Sequence, residues 1–308
     1  MNELTRRTFI RGTAAAAATT LIPWDNPLFA ATGDASAPFD LVAVRNGEAV
    51  EMFKAGIEAL GGMEAFVKKG QRVVVKPNIA WDRPPEIPAN TNPDLVKAVV
   101  KACYDAGAGK VVVFDHTCHN WKKSYVKSGI EKAAKDAGAE VVSGSEKGFY
   151  EEVEIPKGET LKKAKVHREI LKCDVFVNMP VLKNHSGAKL TMAMKNLMGI
   201  VEDRGFWHKN GLDDCIAEFC LYPKRPDLNI LDAYRILRRN GPQGKSPEDG
   251  EIVKYQILGR DIVAVDAAGA RLFDKKAKTL RYIDKAGKLG IGQADLSKLS
   301  VKRITLGA

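Results

Sequence analysis

Aromatic residues make up only 7% of the 308 positions, and no long block of lysine and arginine appears. A nucleic-acid surface concentrates its charge and interleaves it with aromatics or a recognised module, so nucleic acid is not an expected partner. The five cysteines show no run at two-residue spacing, which excludes a ferredoxin-type cluster. Cys103 and Cys173 sit in apolar patterns and read as buried, while a Cys215–Cys220 disulfide stays open. No Walker loop and no Gly-x-Gly-x-x-Gly occurs, so the usual nucleotide fingerprints lose support. Internal repeats and a collagen-like glycine period are also absent.

What is present is a chain long enough to bury a substantial core, with 45% hydrophobic and 28% charged residues. Its formal charge of +10 favours contact with anions, but the positive residues are scattered among acidic ones, so a solvated basic surface that keeps the protein soluble is the expected reading. The run Thr5-Arg6-Arg7-Thr8-Phe9-Ile10-Arg11, followed by Gly12 and an Ala-rich stretch, carries the twin-arginine export pattern. Pro23 and Pro27 argue against an ordinary helix, and the apolar stretch is too short for a stable membrane span. Residues 1–31 are therefore expected to engage the twin-arginine export machinery, with cleavage near Ala30 or Ala31 and a periplasmic or otherwise exported destination. That route carries passengers already folded, often with a cofactor inserted. Removing the segment takes three basic and two acidic residues and leaves the mature chain at +9.

From residue 40 onward, short β-branched runs alternate with helical periods. Strands are expected at 41–45, 72–75, 110–114, 140–143, 174–179, 228–231, 253–258 and 301–305. Helices are expected at 49–60, 92–106, 125–137, 190–198, 212–219, 263–273 and 280–288, with an edge hairpin near 151–166. Near-continuous apolar strands alternating with helices predict an α/β fold, a mostly parallel sheet with helices on both faces. A single domain over residues 38–308, with room for two lobes, accommodates it.

Polar residues recur just after the predicted strands: Lys76-Pro77-Asn78, Asp115 to His119, Asn178 and then Lys183 to Gly187, and Asp232. In an open parallel sheet ligands bind beyond the carboxyl ends of the strands, so the four clusters predict one shared site. Asp115-His116-Thr117-Cys118-His119 mixes metal-ligand types but matches no closed zinc spacing, so the metal question stays open. Acid–base or anion contact ranks above ligation, with Asp115 orienting the His116 ring. Between Lys183 and Gly199, amides at a helix N-terminus together with Lys and Asn side chains would cradle a phosphate or carboxylate. Met192, Met194 and Met198 follow a helix face and read as core. His167, in a Lys-rich stretch, reads as solvated, Asn92 as a helix cap, and Asp232 as a cap or a site residue.

Several of these segments are shared with a known family. Val75-Lys76-Pro77-Asn78, Asn92-Pro93, the loop from His185 to Lys189, and Lys195-Asn196-Leu197-Met198-Gly199-Ile200 resemble the domain of unknown function 362 family. So do Asn229-Ile230-Leu231-Asp232, the run from Gly259 to Asp266, and Gly290-Ile291-Gly292, over about residues 40–306. The resemblance implies no settled activity. Members often carry an extra ferredoxin-like domain and an iron–sulfur label, which this chain's cysteines do not support. The order His116, His185, Lys195, His208 is also similar to lactate racemases that use a nickel-pincer nucleotide. There, two histidines accept protons, a lysine holds the cofactor covalently and another histidine ligates nickel. That similarity locates a site and assigns no cofactor.

The expected function is an exported enzyme or redox accessory protein that binds an anionic small molecule or cofactor of unassigned identity. Lys76, Asn78, Lys183, Lys189, Lys195 and Asn196 hold the anion, and His116, His185 and Asp115 are the catalytic candidates. The competing reading is a non-catalytic envelope binding or assembly protein that docks through its basic surface.

Overall fold

Alternating side chains set the two faces of the sheet. Val73, Val75, Val111, Val113, Val175 and Val177 are buried on one face. Val74, Val112 and Phe176 are buried on the other. The computed structural model describes residues 39–307, so the signal segment 1–31 lies outside the described residues.

Twelve strands are described: β1 (Leu41–Arg45), β2 (Arg72–Pro77), β3 (Lys110–Val113), β4 (Glu140–Val141), β5 (Tyr150–Glu154) and β6 (Lys163–His167). They continue as β7 (Val175–Met179), β8 (Val181–His185), β9 (Lys189–Thr191), β10 (Leu228–Leu237), β11 (Gly250–Gly259) and β12 (Val301–Thr305). The main sheet runs β12-β1-β11-β10-β7-β2-β3-β4, with β8 and β9 attached beside β10. It is mostly parallel; β11 runs antiparallel to both β1 and β10, and β8 pairs β9 as a hairpin. β5 and β6 form a separate two-stranded hairpin, matching the expected excursion near 151–166. Helices Ala49–Ala59 and Pro93–Asp105 cover one face, while Leu212–Phe219, Ile262–Arg271 and Arg281–Lys288 cover the other. Asn92 caps its helix as expected, accepting from the Asp94 and Leu95 amides. The three methionines expected in the core are buried there.

Several local expectations are overturned. The helix read over 125–137 is two helices, Trp121–Lys127 and Ile130–Asp136, divided at Gly129, whose φ of 74° favours glycine. The helix read over 190–198 begins instead as strand β9, because Lys183 and Thr191 pair across the β8–β9 hairpin. Only Ala193–Asn196 is α-helical, continued by a tight turn over Leu197–Ile200. All five cysteines are free, so residues 215 and 220 are not joined.

His167 is not solvated. It ends β6 fully buried, stacked on Phe114 with ring centroids 4.1 Å apart. The Glu169 amide donates to Nδ1, so the ring proton is on Nε2, 3.1 Å from the Ser143 carbonyl. Burial pushes its pKa down from 6.5 to about 4. The unfolded chain therefore holds one more proton than the fold between these values, and stability falls as pH drops from 6.5 through about 4. His167→Phe should keep the stack and remove this contribution. Urea unfolding across that window should show a pH slope shallower by up to about 1.4 kcal/mol per pH unit than in the parent.

Candidate functional site: a cationic crevice at the strand ends

β2, β3 and β7 lie side by side, and the chain leaving β7 returns at once as β8. Their ends bring together residues more than a hundred positions apart. Lys76, at the end of β2, is 0% exposed. Its ammonium donates to the Pro77 carbonyl (2.8 Å) and Asn196 Oδ1 (2.9 Å) and forms an ion pair with Asp115 Oδ1 at 2.8 Å. Burial pulls the Lys76 pKa below its ordinary value, and Asp115 opposes that pull. The other Asp115 oxygen accepts from the Ile79 amide at 2.6 Å.

Asn196 is equally committed. Its Oδ1 also accepts from Asn78 Nδ2 (2.9 Å), and its Nδ2 donates to Asn178 Oδ1 (2.8 Å) and the Lys76 carbonyl (3.4 Å). Asn178 passes the chain on to Asn229 Oδ1 at 2.9 Å. These buried amides satisfy one another and leave the framework closed. The short helix that carries Asn196 is capped from outside, since Asp266 accepts from the Ala193 and Met194 amides at 2.6 and 3.1 Å. This corrects the expected anion cradle: those two N-terminal amides already hold a carboxylate belonging to the chain. Gly199 closes the framework by having no side chain. A Cβ there would overlap the Asp115 carboxylate and lie 2.7 Å from Lys76 Nζ.

Around this framework is a half-open crevice of about 60 Å³, lined by Lys183, His116, His185, Lys195, Arg204 and Thr191 among others. That volume takes roughly two waters, or the head of a ligand whose remainder extends outward. Among the described residues, no carboxylate oxygen lies within 4 Å of the Lys183, Lys195 or Arg204 nitrogens. Lys183 spends two protons, on Asn78 Oδ1 (3.0 Å) and the Ala89 carbonyl (2.5 Å), and keeps one. Lys195 contacts only the Met198 sulfur, at 3.4 Å, and keeps two. Burial lowers Lys183 to about 7 and Lys195 to about 8, against a smaller opposing pull from Cys118 and more distant carboxylates. Thr191 is 3% exposed, and its hydroxyl has no hydrogen-bond partner.

The two histidines face the crevice in opposite states. Nδ1 of His116 lies 2.7 Å from the Val201 carbonyl, which only accepts, so Nδ1 carries the proton and Nε2 keeps its lone pair. Burial, then the Arg204 charge, hold its pKa below the ordinary value. In His185, Nδ1 accepts from the Gly187 and Ala188 amides (2.9 and 3.1 Å), so Nε2 carries the proton. Burial and the neighbouring Lys195 and Lys183 keep that ring neutral. One ring can take a proton at Nε2, and the other offers a hydrogen bond.

The structure thus gathers Lys76, Asn78, Asp115, His116, Lys183, His185, Lys195 and Asn196. Lys189 is not among them. It sits exposed, with its ammonium on the Thr279 carbonyl at 3.0 Å. Asp232 is also elsewhere, and no helix follows it. Inside the long strand β10 it accepts from the Asn92 and Tyr234 amides beside a separate pocket. Asp115 does not orient His116, because its carboxylate belongs to Lys76 and Ile79, and the Val201 carbonyl orients the ring. Arg204, Thr191 and Trp81 were not anticipated as lining residues. Arg204 holds the 115–119 loop by donating to the His116 and Thr117 carbonyls at 2.8 and 2.7 Å, and nothing in its local sequence marks it. His208, exposed on helix Arg204–Asn210, does not line the crevice. Among the described residues, no three His, Cys, Asp or Glu side chains cluster to hold a metal.

These features define a class, an α/β protein with a cationic crevice beyond the ends of its parallel strands. The chain belongs to the family described as Domain of unknown function (DUF362), whose family model matches residues 73–271. A twin-arginine translocation pathway signal sequence matches residues 3–23, so the protein is exported. No described helix is long and apolar enough to cross a membrane. The thylakoid-associated protein sll1697 of Synechocystis sp. is 27% identical over 227 residues, covering 71% of this chain and 68% of its own length. Among solved structures, the lactate racemase apoprotein from Thermoanaerobacterium thermosaccharolyticum is 12% identical with a TM-score of 0.45, covering 76% of this chain and 57% of that one. A Thermotoga maritima protein is 12% identical with a TM-score of 0.43, covering 78% and 59%. The chain spans less than two thirds of either solved structure.

Gly199→Ala should force apart the Lys76–Asp115 pair and destabilise the fold by about 2–4 kcal/mol, measured by urea unfolding. Gly148→Ala, where a Cβ meets nothing within 4 Å, should stay within about 0.5 kcal/mol of the parent.

Proposed function

We propose that the mature chain, one α/β domain over residues 38–308, works in the periplasm by binding a small molecule or organic cofactor through its anionic head. The supporting observation is the set of unspent donors. Lys195, Lys183 and Thr191 retain protons without protein partners, while Lys76 is already paired with the Asp115 charge and Asn196 has no proton left to give. Lys195 and Lys183 hold the anion, His185 donates through Nε2, and Lys76, Asn78, Asp115 and Asn196 position these groups. His116 Nε2 is the base for a proton on the bound molecule, which suits isomerisation or hydrolysis of a carboxylate or phosphate compound. The small crevice favours such a ligand over nucleic acid. Docking through the basic surface draws less support. Lys101, Lys132, Lys135 and Lys288 are each matched by an acidic residue four positions away on the same helix.

Sulfate is a suitable probe because its charge does not change near neutrality. Calorimetric titration should detect binding that Lys195→Met weakens roughly tenfold or more, with Lys189→Met within about twofold of the parent. Loss on Lys189→Met with binding intact in Lys195→Met would refute the assignment.

An anion favours the protonated lysines, whose free values are about 7 and 8. Affinity should therefore be highest below about pH 7 and fall at least about tenfold by pH 9, with proton uptake on binding near pH 8. A flat profile would exclude Lys183 and Lys195 as the holders.

A further inference from the structure

Four of the five cysteines are buried and one, Cys118, is exposed. Burial raises Cys103 to about 12 and Cys173 and Cys215 to about 11, and it raises Cys220 further still. Those four are packing residues. Cys118 differs in place as well as exposure. It lines the cationic crevice on the loop after β3, whose backbone is fixed by the Cys118 amide on the Ala80 carbonyl at 2.8 Å. An Arg204 guanidinium nitrogen donates to its sulfur at 3.5 Å. The same crevice holds the partnerless Thr191 hydroxyl and the uncommitted Lys195 and Lys183 protons. An accessible thiol thus shares one small space with groups that want an anion.

We propose that Cys118 is a site of reversible modification by small anionic disulfides, and that the attached group closes the crevice. This rests on the reading of the crevice as an anion site. Lys183, Lys195 and Arg204 concentrate a carboxylate-bearing disulfide at the sulfur. The Cys118 thiolate, its proton released to water, attacks one sulfur of the reagent. A new sulfur–sulfur bond forms as the old one breaks. The departing half leaves as a thiolate and takes a proton from water. Cys118 is oxidised to the mixed disulfide, half of the reagent is reduced to a thiol, and no further oxidant is needed. In a volume of about 60 Å³, even part of such a group displaces a bound anion. Export places the chain where such disulfides persist.

The test uses the full exported protein with oxidised glutathione, which is anionic, and cystamine, which is cationic, at equal concentrations. Intact-mass and peptide mass spectrometry should find one glutathione adduct, on Cys118, forming at least about tenfold faster than the cystamine adduct at low salt. High salt should erase the preference, and sulfate should slow the glutathione reaction. Lys195→Met should lower the glutathione rate about threefold or more, with the cystamine rate unchanged or raised. Equal rates for the two reagents, an adduct on another cysteine, or no protection by sulfate would overturn the proposal. Sulfate titration of Cys118→Ser separates the two readings. If that variant binds sulfate while glutathione shows no preference, the modification falls and the anion site stands. If neither the parent nor Cys118→Ser binds sulfate, the anion site falls with it.

Discussion

The buried pair of Lys76 and Asp115 is the constraint on which the site depends. Taking two opposite charges out of water costs several kcal/mol each unless the geometry and the remaining hydrogen bonds compensate. Here the ammonium donates to the Pro77 carbonyl and Asn196, one carboxylate oxygen accepts from the Ile79 amide, and the other meets the ammonium as an ion pair. Those partners come from the ends of β2 and β3 and from the short helix Ala193–Asn196, so the pair fastens three elements at one point. Removing either member would leave the other charged and alone in a dry place. The residue spacing from Lys195 to Gly199 then acquires a physical meaning. Asn196 accepts from the ammonium, Gly199 leaves room for the pair, and Lys195, just before them, is the side chain that the framework does not use.

A donor count separates framework from function more sharply than proximity does. Lys76, Lys183 and Lys195 all line one crevice, yet Lys76 is paired with a carboxylate, whereas Lys183 keeps one proton and Lys195 two with no carboxylate beside them. The histidines divide in the same manner, because the backbone groups around each fix which nitrogen carries hydrogen. On the proposed reading, a crevice with acceptor and donor preset in this way needs no rearrangement to receive an anion with a labile proton.

Much of this was legible in the sequence. The valine runs declare a buried parallel sheet because every second residue must face one layer of helices. Polar residues directly after such runs fall at one edge of that sheet, which is why most of the candidate residues do meet. What was not legible depends on distant partners. His167 looked solvated among lysines, but Phe114, contributed by the end of another strand, covers its ring. The amides at the start of helix Ala193–Asn196 read as free, but the Asp266 side chain, 72 and 73 positions later, occupies two of them. Lys189 starts strand β9 and ends at the surface while Lys195, on the short helix that follows, lines the crevice, and Arg204 reaches the site across 88 positions. Periodicity reports which face a residue occupies, and it says nothing about which group will already be bonded there.

The length of chain between the contacts carries its own consequence. Lys76 meets Asn196 across 120 positions and Lys183 meets Asn78 across 105, so no early segment of the polypeptide contains the assembled crevice. Contacts this distant form late, after large loops have closed. A secretion route that threads an extended chain would deliver the parts and leave assembly to the far side. A route that carries folded passengers delivers the crevice ready-made. The compartment that folds this protein is then also the first whose anions it meets, before the compartment in which it resides.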